Sequence, residues 1–188
     1  YFINNIWKKE NIAEIYSYTL GDSYSCSLSS DEVIHFVSIY NDRKSYFIKY
    51  SSFNSSMKWI SSVVSNLNNN NIHLNLLNDG KNLHLICYSL EEKIFIYYYF
   101  INKITNCDSF EFEFITKFRL QDISFPPVFY ILNDSIFMAI IIGENYYEYI
   151  LNDKLKEWEI YFKLPLNDKI NKIRLVVYNN RFLDKGYY

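Results

Sequence analysis

The sequence predicts an all-β repeat domain of β-propeller type, built from four-stranded antiparallel blades with a period of about 50 residues. Three observations predict it. Hairpin-like segments recur at near-constant spacing, two further strand-like runs follow each of them, and the apolar runs in mid-repeat do not alternate with polar residues. A chain of 188 residues that is 49% hydrophobic is long and apolar enough for one domain with a sizeable core.

Each repeated hairpin consists of an apolar run, a short polar turn and a second apolar run. The copies are residues 27–36, 76–85, 131–138 and, more weakly, 177–183. Their anchor residues are Leu28, Leu77, Leu132 and Tyr178. The anchors are 46 to 55 residues apart (178 − 132 and 132 − 77). Asn78-Asp79-Gly80 is the strongest turn signal, because Asp and Gly tolerate the positive φ that such turns demand.

Two more strand-like runs complete each repeat. They are residues 44–50 and 57–64, residues 93–101 and 110–115, and residues 146–151 and 157–162. The runs are short, rich in β-branched and aromatic residues, and bounded by Asn, Asp and Ser, which favours strands over helices. An aromatic residue stands at or near the start of each last run, namely Trp59, Phe110 and Trp158. Four strands per repeat is the count of a propeller blade.

The apolar pattern predicts sheets that are covered on both faces. Residues 94–101 and 137–142 do not alternate, whereas a sheet with one wet face should. Glu111 and Glu113 do alternate with phenylalanines, which predicts an outer strand with one solvated face. A β-sandwich or an open stack of meanders is the alternative architecture.

The repeat predicts the blade boundaries. They give the end of a preceding blade at residues 1–20, three blades at 21–66, 70–118 and 123–164, and the start of a further blade at 170–188. Outer strands from residues 1–14 pairing with inner strands from residues 172–188 would close a four-bladed ring. With more chain at either end, the domain would be part of a larger ring.

A polar turn followed by tryptophan occurs at residues 52–59 and 151–158, and in shortened form at residues 3–7. This arrangement resembles the Ser-x-Asp-x-Gly-x-x-Trp box of sialidase-like, Asp-box-repeat propellers, which joins the third strand of a blade to the fourth. The glycine of the box is absent from every copy, and only Asp153 supplies the acid. The resemblance implies the fold; the box itself pins a turn and makes no bond to substrate.

For a hydrolase, the same resemblance implies an arginine triad that binds a carboxylate, a Tyr–Glu nucleophile pair and an acid/base Asp. Arg43 and Arg119 lie at turns, and Arg174 on an inner strand is the available third member. Arg181 falls in a turn at the opposite end of the blade. Solvated charges at turns account for these residues better, so the sequence favours a non-catalytic module over an enzyme.

The predicted topology places the turns between second and third strands, together with the links between blades, at one end of the blades. Propellers usually bind ligands there. Sugars stack on aromatic rings while Asn and Asp bond their hydroxyls. The candidate ligand-binding residues at this end are Tyr40, Asp42, Arg43, Arg119, Asp122, Glu144, Asn145 and Tyr146. We expect a binding or scaffold module for a glycan or protein partner; the alternatives are a sialidase-like glycoside hydrolase and a structural fragment that assembles through strand edges.

Several partners are not expected. The net charge of −2 offers no basic excess for nucleic acid, and no run of 18 apolar residues exists to span a membrane. His35 and His84 occupy equivalent places in successive repeats, a full blade apart, and His73 lies on an inner strand, so we expect packed histidines and no metal site. Four glycines supply no phosphate-binding loop, and we expect no cofactor.

The compartment cues conflict. Cys26, Cys87 and Cys107 are expected to be buried or half-buried free thiols, which suits a reducing environment. The glycosylation sequons at Asn54 and Asn133 and the family resemblance suit a secreted or cell-surface protein. The balance leans slightly towards an extracellular or surface location.

Overall fold

The computed structural model describes residues 2–3, 6–7, 24–29, 33–42, 45–53, 59–68, 72–80, 82–89, 91–92, 95–102, 111–123, 125–152, 154 and 157–166. Within these residues the protein is all-β, with fourteen strands and no helix. No helix that could cross a membrane occurs in this part of the chain. The predicted all-β class is therefore confirmed.

Twelve of the strands form three four-stranded antiparallel sheets, and in each sheet the strands follow chain order. Sheet 1 comprises β3 (Tyr24–Leu28), β4 (Ile34–Asn41), β5 (Tyr46–Phe53) and β6 (Trp59–Leu67). Sheet 2 comprises β7 (His73–Asn78), β8 (Leu83–Tyr88), β9 (Phe95–Asn102) and β10 (Glu111–Arg119). Sheet 3 comprises β11 (Val128–Leu132), β12 (Ser135–Ile142), β13 (Asn145–Asn152) and β14 (Glu157–Pro165).

The strands expected near the N-terminus are present in part. β1 (Phe2–Ile3) and β2 (Ile6–Trp7) pair with each other as a two-stranded sheet. The predicted start of a further blade at residues 170–188 lies outside the described residues. The predicted ring closure lies outside them for the same reason.

One detail of the predicted repeat alignment is wrong. Ser27 pairs with His35 and Leu77 pairs with His84, so Ser27 rather than Leu28 is the counterpart of Leu77. The loop after β3 covers residues 29–33, one residue more than the loop at residues 79–82 after β7. An ungapped alignment across loops of unequal length shifts the register by one residue, which assigns each side chain to the wrong face of the sheet.

A register shift recurs at the same place in each sheet. The pairing of third and fourth strands slips by one residue on the fourth strand, and the residues left out are Val64 in β6, Ile115 in β10 and Tyr161 in β14. A β-bulge of this kind bends the strand and increases its twist. The three sheets thus share an irregularity as well as a strand order.

Apolar clusters join the sheets face to face. Val37 and Ile39 of sheet 1 belong to the same buried cluster as Leu85 of sheet 2. On the opposite face of sheet 2, Ile86 belongs to a buried cluster that includes Met138 of sheet 3. Every residue of β8 is buried, because its alternate side chains enter the two clusters in turn.

This burial explains one of the two non-alternating runs. Residues 137–141 are all buried in β12. The other run lies in β9, whose side chains fall outside the description. In β10 the exposed Glu113 follows the half-buried Phe112, but Phe114 is exposed as well. The predicted alternation along β10 therefore holds only in part, since the bulge at Ile115 interrupts it.

The first strands of sheets 1 and 2 lie side by side. Leu76 N donates to Ser25 Oγ at 3.0 Å, and Asn78 Nδ2 donates to the Leu28 carbonyl at 3.3 Å. Because residue number rises along both strands from the first bond to the second, β3 and β7 run in the same direction. Corresponding ends of the two sheets therefore lie on the same side, and β7 in turn contacts β11.

Candidate functional site

Each sheet has two ends with different connections. In an antiparallel meander, the β4–β5, β8–β9 and β12–β13 turns share an end with the links at residues 68–72 and 120–127. We call this end the link end. The first-to-second and third-to-fourth turns lie at the opposite end, which we call the hairpin end. The candidate ligand-binding residues all belong to turns, links or strand termini of the link end.

A link and a turn are bonded together at the link end of sheet 3. Gly143 N donates to the Asp122 carbonyl at 3.4 Å, and Ile123 forms a β-bridge with Ile142. Gly143 has a φ of 58°, which glycine adopts without steric cost. Leu166 N donates to the Glu144 carbonyl at 2.8 Å, so the chain leaving β14 is held at the same turn. These bonds bring Asp122 and the Glu144-Asn145 pair into one surface.

The candidate ligand-binding residues of sheets 1 and 2 do not take part in these bonds between the link and the turn of sheet 3. Tyr40 is half-buried near the end of β4, where its ring packs on Phe47 at 5.1 Å between centroids. Asp42 is exposed, and its Oδ1 accepts a hydrogen bond from Ser45 N at 3.0 Å. Arg119 is exposed at the last position of β10. Arg43 lies outside the described residues.

At the link end, the exposed charges in the described turns and links are acidic. They are Asp42, Glu91, Glu92, Asp122 and Glu144. Carboxylates gathered at one end of a domain produce a negative potential that attracts cationic groups. Of the four arginines, the described residues include Arg119 alone.

Tyr146 has a different environment from the one expected of a sugar-stacking residue. It points to the face of sheet 3 that is turned away from sheet 2, which we call the outward face. Its hydroxyl donates to Glu148 Oε1 at 2.6 Å, and the hydroxyl of Tyr130 donates to the same oxygen at 3.0 Å. The sequence reasoning missed Glu148, although its spacing of two residues from Tyr146 puts both side chains on one face of a strand.

The hydrogen bonds to Glu148 hold both phenols in the protonated form. Burial raises the pKa of both Tyr130 and Tyr146, and the Glu148 carboxylate raises it further by accepting their hydrogen bonds and by its charge. Both hydroxyls therefore keep their protons and act as donors at neutral pH. The three side chains therefore act as a hydrogen-bonded anchor on the outward face.

Replacing Glu148 with glutamine is expected to lower the pKa of Tyr130 and Tyr146 towards the ordinary value of about 10. A tyrosine pKa that is raised by folding contributes stability below pH about 10, and that contribution is lost as the pH rises further. The wild-type protein should thus lose stability above pH about 10, and Glu148→Gln should lose less. Carbon-13 NMR of the tyrosine rings measures the titrations, and urea unfolding across the same pH range measures stability.

The matched control is Glu159→Gln, which removes an exposed carboxylate from β14. It should leave the titrations of Tyr130 and Tyr146 unchanged. Unaltered tyrosine titrations in Glu148→Gln would mean that the carboxylate does not govern these phenols.

Buried histidines hold the longer turns of the hairpin end. His84 Nε2 donates to Asp79 Oδ2 at 2.8 Å, and His35 Nε2 lies 3.1 Å from Ser29 Oγ. Ile136 pairs at the corresponding position of sheet 3, where the turn has only two residues. Neither Asn133 nor Asp134 of that turn needs a side-chain clamp, because both adopt the positive φ of a tight hairpin turn.

These histidines are placed apart, in keeping with their roles in separate hairpins. His73, the third histidine, stacks on Tyr88 at 4.7 Å. Among the described residues, no group of three or more His, Cys, Asp or Glu side chains is arranged to hold a metal ion.

Trp158 marks the position that resembles an Asp box. Its side chain is buried and packs against Phe129, with ring centroids 6.2 Å apart. Its Nε1 has no hydrogen-bond partner, so its role is packing between sheets 2 and 3. Asp153 and the turn at residues 54–58 lie outside the described residues.

The cysteine expectation is wrong for one residue. Cys87 is buried, but Cys26 is an exposed free thiol. Cys26 lies on β3, an edge strand of sheet 1, which has a strand neighbour in its sheet on one side only. Cys107 lies outside the described residues.

No protein-family model matches the chain, and no curated protein matches it in sequence. The function of the link end must therefore follow from its geometry and chemistry.

Proposed function

We propose that this chain is a non-catalytic binding module of β-propeller type, which recognises its partner at the link end. The bonds that join the link at Asp122 to the turn at Gly143 and Glu144 carry this proposal. They build a preformed surface from loops that are anchored on sheets. Loops held by a rigid scaffold are where binding residues most often lie.

Four features support the propeller. The sheets share one strand order, their outer strands share one bulge position, their facing surfaces are joined by apolar clusters, and their first strands are neighbours. A blade that packs between two others has these properties. A two-layer β-sandwich accounts less well for three sheets stacked in chain order.

The described chemistry of the link end favours a protein partner with a basic surface over a glycan. The exposed charges in its described turns are carboxylates, which complement lysine and arginine. The hydroxyl of Tyr146 is held by Glu148 on the outward face of sheet 3, so its ring is positioned by the sheet face and not by the turn. A glycan remains an outcome of the test.

The test compares two charge reversals at opposite ends of sheet 3. Glu144→Lys changes the link end and Glu157→Lys changes the hairpin end, and both residues are exposed. Wild-type protein is screened against a panel of basic proteins and against a glycan array, and each hit is then measured with both variants. We expect a basic protein whose affinity falls at least about tenfold, or 1.4 kcal/mol, in Glu144→Lys and is unchanged in Glu157→Lys.

Equal losses in the two variants would indicate a non-specific charge effect and would overturn the proposal, as would a partner indifferent to Glu144→Lys. A hit on the glycan array that is lost in Glu144→Lys would keep the binding site and change the class of partner.

The two alternatives receive less support. Hydrolysis of a fluorogenic sialoside that is abolished in Arg119→Ala would favour a glycosidase, but Arg119 is the one arginine of the expected triad among the described residues. Assembly through strand edges is opposed by the bulges in β6, β10 and β14, since bulges discourage edge pairing. Sedimentation as a compact monomer would remove the second alternative.

A further inference from the structure

The outward face of sheet 3 carries a large apolar surface. By register, its residues include Tyr130, Phe137, Ala139, Ile141, Tyr146, Glu148, Phe162 and Leu164. The bulged Tyr161 joins them, with its ring 5.2 Å from that of Phe137. Phe137, Ala139 and Ile141 in the middle of this face are buried, whereas Tyr161, Phe162 and Leu164 on its outer strand are 63%, 45% and 47% exposed. Contiguous apolar surface of this kind usually marks a place where another element packs.

The opposite face of sheet 3 shows what such an element looks like. There, sheet 3 packs on sheet 2 through Phe129 and Ile131 of its first strand. Sheet 2 packs on sheet 1 in the same manner, through Leu74 and Leu76 of β7. In both cases the first strand of a sheet directs alternate apolar side chains onto the sheet before it.

The chain beyond β14 has the length to supply the next such strand. The link between β6 and β7 has five residues and that between β10 and β11 has eight. Links of these lengths after Pro165 would start a strand between residues 171 and 174 (165 + 5 + 1 and 165 + 8 + 1). That interval opens an apolar stretch, Ile173-Arg174-Leu175-Val176-Val177, which lies outside the described residues.

In that stretch and in β11, apolar residues stand at the same distances from the turn that follows. In β11, Ile131 and Phe129 stand two and four residues before the turn that starts at Asn133, and both face the preceding sheet. Val177 and Leu175 stand two and four residues before Asn179, in the sequence turn Asn179-Asn180. Side chains alternate along a strand, so this spacing assigns Leu175 and Val177 to the side that would meet sheet 3.

We propose that residues 173–177 of this chain cover the outward face of sheet 3, with Leu175 and Val177 packed on Phe137 and Tyr130. The inference rests on the proposed propeller fold, because it treats this segment as the first strand of a following blade. It is independent of the partner at the link end.

The hydrogen bonds of Glu148 suit a covered face. A carboxylate that enters an interface loses water and must be compensated. Tyr130 and Tyr146 each donate to Glu148 Oε1, so part of that compensation exists within sheet 3 itself.

Methyl NMR of the full chain tests the proposal. Selective labelling of Leu and Val methyl groups and of Phe and Tyr rings should give nuclear Overhauser contacts from Leu175 and Val177 to Phe137 and Tyr130. Assigned resonances for residues 175 and 177 that lack contacts to these rings would overturn it. A mixture of labelled and unlabelled chains separates contacts within one molecule from contacts to a second copy, and contacts found only between molecules would overturn it too.

A pair of variants provides a readout in solution. Leu175→Ala should lower the midpoint of thermal unfolding and weaken the contacts of Val177 with Phe137. Ile160→Ala is the control and should leave the midpoint nearly unchanged, because Ile160 is 59% exposed and its pairing with Tyr149 puts it on the face of sheet 3 that is turned towards sheet 2. An unchanged midpoint in Leu175→Ala would contradict the proposal. Failure to find a partner for the link end would leave the NMR contacts in place, so the two proposals can fail separately.

Discussion

Replacing Leu85 with alanine is expected to lower the free energy of unfolding by about 2–5 kcal/mol. Leu85 lies in the middle of β8, is 0% exposed and belongs to the apolar cluster that joins sheets 1 and 2. The substitution removes buried methyl groups and leaves a cavity that a tightly packed interior fills only partly.

The neighbouring substitution Ile86→Ala is expected to cost a similar amount, although its side chain points the opposite way. Ile86 is also 0% exposed, and it enters the cluster between sheets 2 and 3. Two large losses at adjacent positions of one strand are the signature of a sheet that is covered on both faces. In a sheet with one wet face, one of the two positions would tolerate alanine.

Urea unfolding monitored by circular dichroism measures both free energies. Ile160→Ala is the control, because Ile160 is 59% exposed and its truncation should change stability by less than about 0.5 kcal/mol. A loss at only one of positions 85 and 86 would contradict the stacked arrangement of the three sheets.

His84→Ile is expected to destabilise the protein by about 1–3 kcal/mol, because it leaves the Asp79 carboxylate without its buried partner. Asp79 is largely shielded from water, with a side chain that is 11% exposed. It also holds the turn by accepting a hydrogen bond from Asn82 N at 2.6 Å. The histidine thus supports the residue that closes a four-residue loop.

A loop exchange separates this role from simple loss of packing. Sheet 3 has Ile136 at the corresponding position and the two-residue turn Asn133-Asp134. Replacing residues 79–82 with Asn-Asp in the His84→Ile background removes the Asp79 carboxylate that has lost its histidine. It also supplies a two-residue turn that needs no side-chain hydrogen bond to hold it. We expect this exchange to recover most of the lost stability. If His84→Ile alone were neutral in urea unfolding, the hydrogen bond to Asp79 would not be holding the turn.

The strands were predictable because the signals that define them are local. Apolar runs bounded by polar turns predicted a strand at each of the twelve places, although the predicted hairpins include only the last residues of β3, β7 and β11. The turn Asn133-Asp134 shows the same principle at the level of single residues, since Asn and Asp accept the positive φ that both positions have. Loop length was less predictable, because a loop can hold an extra residue without changing the hydrogen bonds between the two strands that it joins. The loop after β3 has one such extra residue, so the ungapped alignment places Leu28 where Ser27 belongs.

The sequence predicted which residues lie at the link end, but it did not predict the hydrogen bonds that join them. Strand order alone places Asp122 and Glu144 at the same end of sheet 3. The bond between Gly143 N and the Asp122 carbonyl depends on how a link folds back over a turn, which no local pattern specifies. The short distance of Tyr146 from a turn predicts a place on the ligand-binding surface. In the structure its side chain lies on the outward face, where its hydroxyl donates a hydrogen bond to Glu148.

The sequence by itself determined the all-β class and the positions of the strands, since composition, turn residues and the spacing of apolar runs are properties of neighbouring positions. Only the tertiary structure decided which faces are buried, that the histidines clamp turns, and that two tyrosines share one carboxylate. Those features depend on contacts between strands and sheets, which no local pattern specifies. His35 bonds Tyr50 and Tyr130 bonds Glu148 because strand pairing within one sheet brings them together. The buried faces follow from the stacking of the sheets, which the free energy of apolar burial favours.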